Sequence, residues 1–226
     1  MGAEQSNERR AAIHAALGDP ARLAIVDTLA MTDASPSELG RALGMPSNLI
    51  AHHLGVLADA GVIIRRRSEA DRRRTYVQLS SDGFGMAAPH WPQIVPRVVF
   101  VCTQNSARSQ LAAALWASRA GVPVASAGTR PAPHVNPRAV AVARRHGLEL
   151  RRATTAHVRD VVRAADLVVA VCDHAYEELA GDGVPHLHWS IPDPALSTAT
   201  DAFERAFDAL NDRIDRLAGV LAGNQH

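Results

Sequence analysis

Cys102-Thr103-Gln104-Asn105-Ser106-Ala107-Arg108, followed by Ser109, sets a sulfur nucleophile and a guanidinium at the two ends of a five-residue loop. The apolar run Val98-Val99-Phe100-Val101 before it reads as a buried strand, and the alanine-rich stretch after it as a helix. Successive backbone N–H groups of residues 103–108 can point into one concavity. The helix N-terminus adds partial positive charge, and Arg108 can grip two oxygens of a tetrahedral anion at once. The same field favours thiolate over thiol at Cys102, and Ser109 can donate a hydrogen bond to that thiolate. The chemistry implied is attack by sulfur on a phosphate-like anion. Cys-x5-Arg alone occurs by chance, and its bland reading is a buried structural cysteine with a solvated arginine. The strand–loop–helix setting is what gives it weight.

Further along lie Ser126-Ala127-Gly128-Thr129, the strand-like run Asp166-Leu167-Val168-Val169-Ala170-Val171-Cys172, and His188-Trp189-Ser190-Ile191-Pro192-Asp193-Pro194-Ala195. Together with the loop, and in this order, these segments resemble the low-molecular-weight protein-tyrosine-phosphatase fold, and within it the thiol-dependent arsenate reductases. The resemblance covers about 130 residues and implies an α/β domain with a parallel sheet flanked by helices. It implies that Cys102 is the nucleophile and that Thr103, Gln104, Asn105, Ser106, Ala107 and Arg108 bind the oxyanion, with Asn105 holding the loop shape. Asp193 then supplies the proton that an oxygen leaving group needs. Its neighbours Pro192 and Pro194 fix φ and stiffen that backbone; taken alone, Asp-Pro is a common turn.

Two features lean from phosphoester toward arsenate. The family's tyrosine phosphatases usually carry aromatic residues after Asp-Pro, whereas Ala195 and Leu196 stand here. Cys172 lies where the reductases keep their second redox cysteine. A thiolate there could attack a Cys102–arsenic adduct, form a Cys102–Cys172 disulfide and release arsenite. The alternative for Cys172 is a small buried hydrophobe at a strand end. The three-cysteine reductases place another cysteine seven residues on, where this chain has Leu179. Regeneration therefore calls for an outside reductant: a small thiol, a glutaredoxin-like partner or thioredoxin. No bound cofactor is expected.

The 226 residues suit one large or two modest domains. Two cysteines, far apart, argue against a disulfide scaffold and suit a reducing cytoplasm. No apolar run approaches the ~20 residues of a membrane span, and residues 1–10 have no apolar core of a signal peptide. All 24 Lys+Arg positions are arginine; with heavy alanine use this points to a GC-rich bacterial genome. Ser81-Asp82-Gly83-Phe84-Gly85 and Pro89, Pro92 and Pro96 mark residues 81–96 as a linker between units 1–80 and 97–226.

In the first unit Ala11–Leu17 reads as a short helix. Asp19-Pro20 caps a second, with Leu23, Val26 and Leu29 on its apolar stripe. Ser35-Pro36-Ser37-Glu38 is a capping box whose helix runs to Leu43. A fourth runs from Ser47 to Ala60, with Ile50, Leu54 and Leu57 on one face and Gly61 beyond it. Val62-Ile63-Ile64 and Thr75-Tyr76-Val77-Gln78-Leu79 read as two strands, with Arg65, Arg66, Arg67, Arg72, Arg73 and Arg74 between them. This is the pattern of a winged helix-turn-helix. Leu17-Gly18-Asp19-Pro20-Ala21-Arg22-Leu23 and His52-His53-Leu54-Gly55-Val56-Leu57 resemble the ArsR-type regulators. In such a unit the 47–60 helix enters the major groove of double-stranded DNA, giving Ser47, Asn48, Ala51 and His52 as base contacts, while the wing arginines meet phosphates. The alternative is a solvated, charged hairpin. The metal-sensing relatives' cysteines are missing, and His14, His52 and His53 are poorly spaced for a ligand set, so no metal site is expected. A homodimer, if formed, would rest on residues 8–17 or on the second unit.

The reading that results is a DNA-binding regulator fused to a cysteine-dependent oxyanion enzyme, an arsenate reductase. The alternatives are a phosphatase for phosphotyrosine or small phosphomonoesters, and a regulator whose second unit is only an oxyanion or redox sensor.

Overall fold

A computed structural model of the chain describes residues 2–80, 95–119, 121–150, 153–181 and 186–222. The chain divides into two compact units, Met1–His90 and Trp91–His226. The expected linker lies, apart from residues 95 and 96, outside the described residues.

The first unit opens with α1 (Gly2–Leu17), nine residues longer at its start than the apolar pattern indicated, since that pattern marks only the packed end. Ile13, Ala16 and Leu17 are buried in the unit's own core. Helix α2 (Pro20–Met31) starts where Asp19 accepts from the N–H groups of Ala21 (2.8 Å) and Arg22 (3.1 Å). Those backbone bonds, that of Arg22 foremost, hold the Asp19 carboxyl below its ordinary value. Helix α3 (Pro36–Ala42) carries the full capping box: the Glu38 N–H donates to Ser35 Oγ (3.3 Å) and the Ser35 N–H to Glu38 Oε2 (2.7 Å). Helix α4 (Ser47–Asp59) buries Ile50, His53, Leu54 and Leu57. The chain then reverses through Gly61, whose φ of 72° is left-handed.

Strands β1 (Ile63–Arg67) and β2 (Thr75–Leu79) pair antiparallel, Ile63 opposite Leu79 and Arg67 opposite Thr75, and Ala34 adds a bridge to Val77. Arg65, Arg66 and Arg67 thus lie within a strand rather than at a tip; pairing with β2 carries the strand past its apolar residues. Arg72, Arg73 and Arg74 lie in the connecting loop.

The second unit is a four-stranded parallel sheet of order β4-β3-β5-β6. Its elements are β3 (Val98–Cys102), α5 (Arg108–Ala117), β4 (Val124–Gly128), α6 (Pro137–Arg145), α7 (Val158–Val161), β5 (Leu167–Ala170), α8 (Asp173–Gly181), β6 (His186–His188) and α9 (Ala202–Ala222). All five residues of β3 and all four of β5 are buried. Such unbroken apolar runs belong to strands covered on both faces. Helices α5 and α9 pack together, while α8 lies against β3, β5 and β6. Phe100 of β3 packs between Trp116 and Trp189, with ring centroids 6.0 and 5.7 Å away.

From β3 the chain moves to β4 on one side and then to β5 on the other. The carboxyl end of β3 is therefore the point where the strand order reverses, and a crevice opens there in sheets of this kind. Cys102 is the last residue of β3. Among the described residues no helix is long and apolar enough to cross a membrane.

Candidate functional site

The loop after Cys102 is held open by the segment that follows β4. Thr129, Arg130, Ala132 and Asn136 donate their N–H groups to the carbonyls of Cys102 (3.2 Å), Thr103 (2.8 Å), Gln104 (2.9 Å) and Ser106 (2.8 Å). Peptide planarity then aims the next amide in each case, those of Thr103, Gln104, Asn105 and Ala107, the opposite way. This is the inward-facing arrangement that anion binding requires. Gly128 ends β4 beside the loop. A Cβ there would lie 2.8 Å from the Thr103 carbonyl oxygen and 2.9 Å from the Asn105 nitrogen, so a side chain has no room.

Asn105 is the loop's internal brace. It is fully buried with φ of 49°, a conformation asparagine tolerates better than most residues. Its Nδ2 donates to Ser109 Oγ (2.9 Å) and Ser126 Oγ (3.0 Å), and its Oδ1 accepts from the Ala156 N–H (2.9 Å). Ser109 Oγ in turn lies 3.1 Å from Cys102 Sγ. With Asn105 Nδ2 donating to it, that hydroxyl is free to point its proton at the sulfur. Gln104 stands exposed at the rim, while Ser106, Ala107 and Arg108 are buried.

Arg108 opens α5 and reaches the loop that carries Asp193. Its Nη1 donates to the Ile191 carbonyl (2.9 Å) and its Nη2 to Asp193 Oδ2 (2.7 Å). Asp193 also accepts from the Ala195 N–H (2.9 Å), an Asx turn that fixes its side chain. Acid and anion would therefore share one guanidinium.

Cys172 follows β5, wholly buried. Its Sγ lies 3.5 Å from Thr103 Oγ1. Val101 pairs with Ala170 and the Val171 N–H donates to the Val101 carbonyl (2.7 Å), so Cys172, two residues past β5, lies beside the end of β3 and one residue beyond the level of Cys102. Strand spacing and rise place their Cα atoms about 6 Å apart, within the span a disulfide bridges. Burial pushes the Cys172 thiol up from its ordinary value, and the Arg108 guanidinium works against that.

Cys102, residues 103–108, Ser109, Cys172 and Asp193 thus meet at one end of the sheet. Sequence reasoning overlooked the supporting positions: the Ser126 hydroxyl, the Ala156 amide, the Ile191 carbonyl and the buried Asp173–His188 pair (3.0 Å). Ser126, Ala127 and Gly128, quoted for the resemblance, are the last three residues of β4. A glycine ending an apolar run was the signal for close backbone approach.

In the first unit Ser47, Asn48, Ala51 and His52 are all exposed on α4, and so are the six arginines of the hairpin. A cleft of about 790 Å³ brings Ser47, Arg41, Arg73 and Arg74 to one surface. All the residues that line it belong to the first unit. Arg73 also pairs with Asp71 at 3.0 Å, in solvent.

Residues 17–66 match a helix-turn-helix domain family, and residues 97–226 match the low molecular weight phosphotyrosine protein phosphatase family. An arsenate reductase of Bacillus licheniformis is 33% identical over 131 residues, covering 54% of this chain and 94% of that one. Arsenate reductase 1 of Bacillus cereus is 35% identical over 127 residues, covering 54% and 92%. A solved structure of a YwlE mutant from Bacillus subtilis superposes with a TM-score of 0.50 at 27% identity, over 56% of this chain and 98% of that one. Its matched half carries the sheet, the loop and both cysteines: the chain belongs to the low molecular weight phosphotyrosine protein phosphatase family.

Proposed function

We propose that the second unit reduces arsenate to arsenite and that the first binds double-stranded DNA. The observation that carries the enzymatic half is the second sulfur. Cys172 sits buried against Thr103 at the base of the loop, in a chain whose relatives at 33–35% identity are named arsenate reductases. Phosphate-ester hydrolysis does not call for a second sulfur in its bond-making steps.

In this reading the loop amides and Arg108 bind arsenate, and Ser109 stabilises the Cys102 thiolate. Sulfur attacks arsenic; one oxygen leaves as water with a proton from Asp193. Cys172 then loses its proton and attacks Cys102 Sγ. The sulfur–arsenic electron pair stays on arsenic, As(V) becomes As(III), and a Cys102–Cys172 disulfide remains. An external thiol restores both cysteines, which fits a reducing cytoplasm. In the first unit Ser47, Asn48, Ala51 and His52 face base edges, and Arg65, Arg66, Arg67, Arg72, Arg73 and Arg74 meet the phosphate backbone.

One observation favours a second reading. Cys102, Arg108 and Asp193 alone suffice for phosphate-ester hydrolysis, and a solved YwlE structure, 25% identical with a TM-score of 0.50, is an arginine phosphatase. The variant Cys172→Ser separates the two. Arsenite release should vanish while any hydrolysis of nitrophenyl phosphate persists. Undiminished arsenate turnover would remove the resolving role of Cys172; absence of arsenite from the parent chain, with hydrolysis kept, would leave the phosphatase.

A further inference from the structure

The two sulfurs differ in how they can be reached. Cys172 is 0% exposed and Cys102 is 2% exposed, and the difference lies in what closes over each. Cys102 faces the concavity of its own loop, the route an oxyanion takes. Cys172 is sealed by Thr103 on one side and by the start of α8 on the other.

That helix is pinned along its length. Asp173 pairs with His188 of β6 at 3.0 Å, both buried. The Tyr176 ring stacks on His188 with centroids 4.0 Å apart. Glu178 pairs with Arg130 at 2.5 Å, and Arg130 donates its backbone N–H to the Thr103 carbonyl. Leu179 is 1% exposed, its side chain turned into the core. No third sulfur stands on the outer face of α8 to carry the oxidised state to the surface.

We infer that, after the proposed arsenate reduction, the Cys102–Cys172 disulfide is opened by a small monothiol that enters through the anion mouth and attacks Cys102, not by a protein dithiol and not at Cys172. Thiol–disulfide exchange needs the incoming sulfur in line with the S–S bond, so access decides which sulfur is attacked. A thiolate in the mouth reaches Cys102 and expels Cys172, which takes up the proton that the incoming thiol lost and is restored as the buried thiol. A new bond joins the small thiol to Cys102. A second equivalent attacks the small thiol's sulfur in that mixed disulfide and expels Cys102 as thiolate. The sum is two thiols oxidised to one small disulfide, matching the two electrons arsenic took up. A cysteine borne on a folded protein surface cannot descend to a sulfur with so little exposure while α8 stays pinned.

The inference rests on the arsenate reading, but its test does not use arsenic. Diamide, which takes up two electrons and two protons, oxidises the full chain. The disulfide is then offered 2-mercaptoethanol or a thioredoxin-fold dithiol protein kept reduced by its own reductase. Acid quenching and peptide mass mapping locate the adduct. Mercaptoethanol should appear on Cys102 alone, and the dithiol protein should add nothing to the rate of thiol recovery. An adduct on Cys172, a dithiol protein that outpaces the monothiol, or failure of diamide to form the Cys102–Cys172 disulfide would each overturn the assignment. In a separate assay with arsenate, absence of arsenite with every reductant would instead refute the reaction, whatever the map shows.

Discussion

Replacing Asn105 tests whether the loop is braced from inside. Asn105→Ala removes three hydrogen bonds, of 2.9, 3.0 and 2.9 Å, each worth about 1 kcal/mol net. It also leaves an alanine at φ of 49°, which costs an L-residue about 1 kcal/mol. The sum is about 4 kcal/mol, a large part of the 5–15 kcal/mol typical of a whole domain. For a unit of this size the melting transition should fall by roughly 12–16 °C. Turnover should fall further than stability explains. Loop amides aimed at developing charge are worth ~3 kcal/mol each, so misplacing one lowers kcat about a hundredfold. Asn105→Gly separates the terms: glycine accepts the backbone angle, so about 1 kcal/mol should return without the activity. Calorimetry of the full chain at a temperature ramp, with single-turnover arsenite release below the transition, gives both numbers. If Asn105→Ala melts within about 3 °C of the parent and keeps its turnover, the brace is not where the structure puts it.

Three other outcomes are expected. Because burial raises the Cys172 thiol, its thiolate fraction should grow about tenfold per pH unit below that raised value. The resolving step, followed by loss of two free thiols in single turnover, should climb accordingly, and a flat profile would contradict the burial argument. Neutralising Arg66 and Arg74 together should weaken DNA binding alike for all sequences and shallow the dependence of log Kd on log salt by about two; an unchanged slope in fluorescence anisotropy would assign the hairpin to solvent. Glu204 is held below the ordinary carboxylate range by His146 first and Arg145 second. A depressed folded value means the clamp contributes above the unfolded value and is lost as pH falls through the folded one. Glu204→Gln should therefore cost stability at pH 6 and progressively less as pH falls below the ordinary carboxylate value, read from paired thermal melts.

The chemistry of the second unit was legible because it is local. Seven consecutive residues carry the candidate sulfur, the amides and the guanidinium, and strand and helix patterns flank them. Asp193 and Cys172 needed family resemblance, since neither residue type nor spacing sets a distant loop against the first. What stayed hidden is what tertiary contact alone creates. Nothing in Asp173 or His188 marks them as a buried pair, and the Ile191 carbonyl is a backbone group that any residue offers. In the first unit Asp19 and Ser35 announced their caps because capping is a two- or three-residue event. The early start of α1 was missed because its first turns carry no apolar stripe, and Arg65, Arg66 and Arg67 were placed between the strands because pairing with Val77, Tyr76 and Thr75, not their own chemistry, makes them strand.

The Ile191 carbonyl gives Arg108 a second employment. One nitrogen of the guanidinium ties down the turn bearing the carboxylate, so the cation is a strut as well as a clamp. A lysine of equal charge has a single ammonium and cannot span both anchorages. Any anion that tugs on this side chain tugs also on a turn 83 residues distant in the chain. The hold on an anion and the pose of the Asp193 turn would therefore be one mechanical event, and a mutation that retunes either would disturb the other.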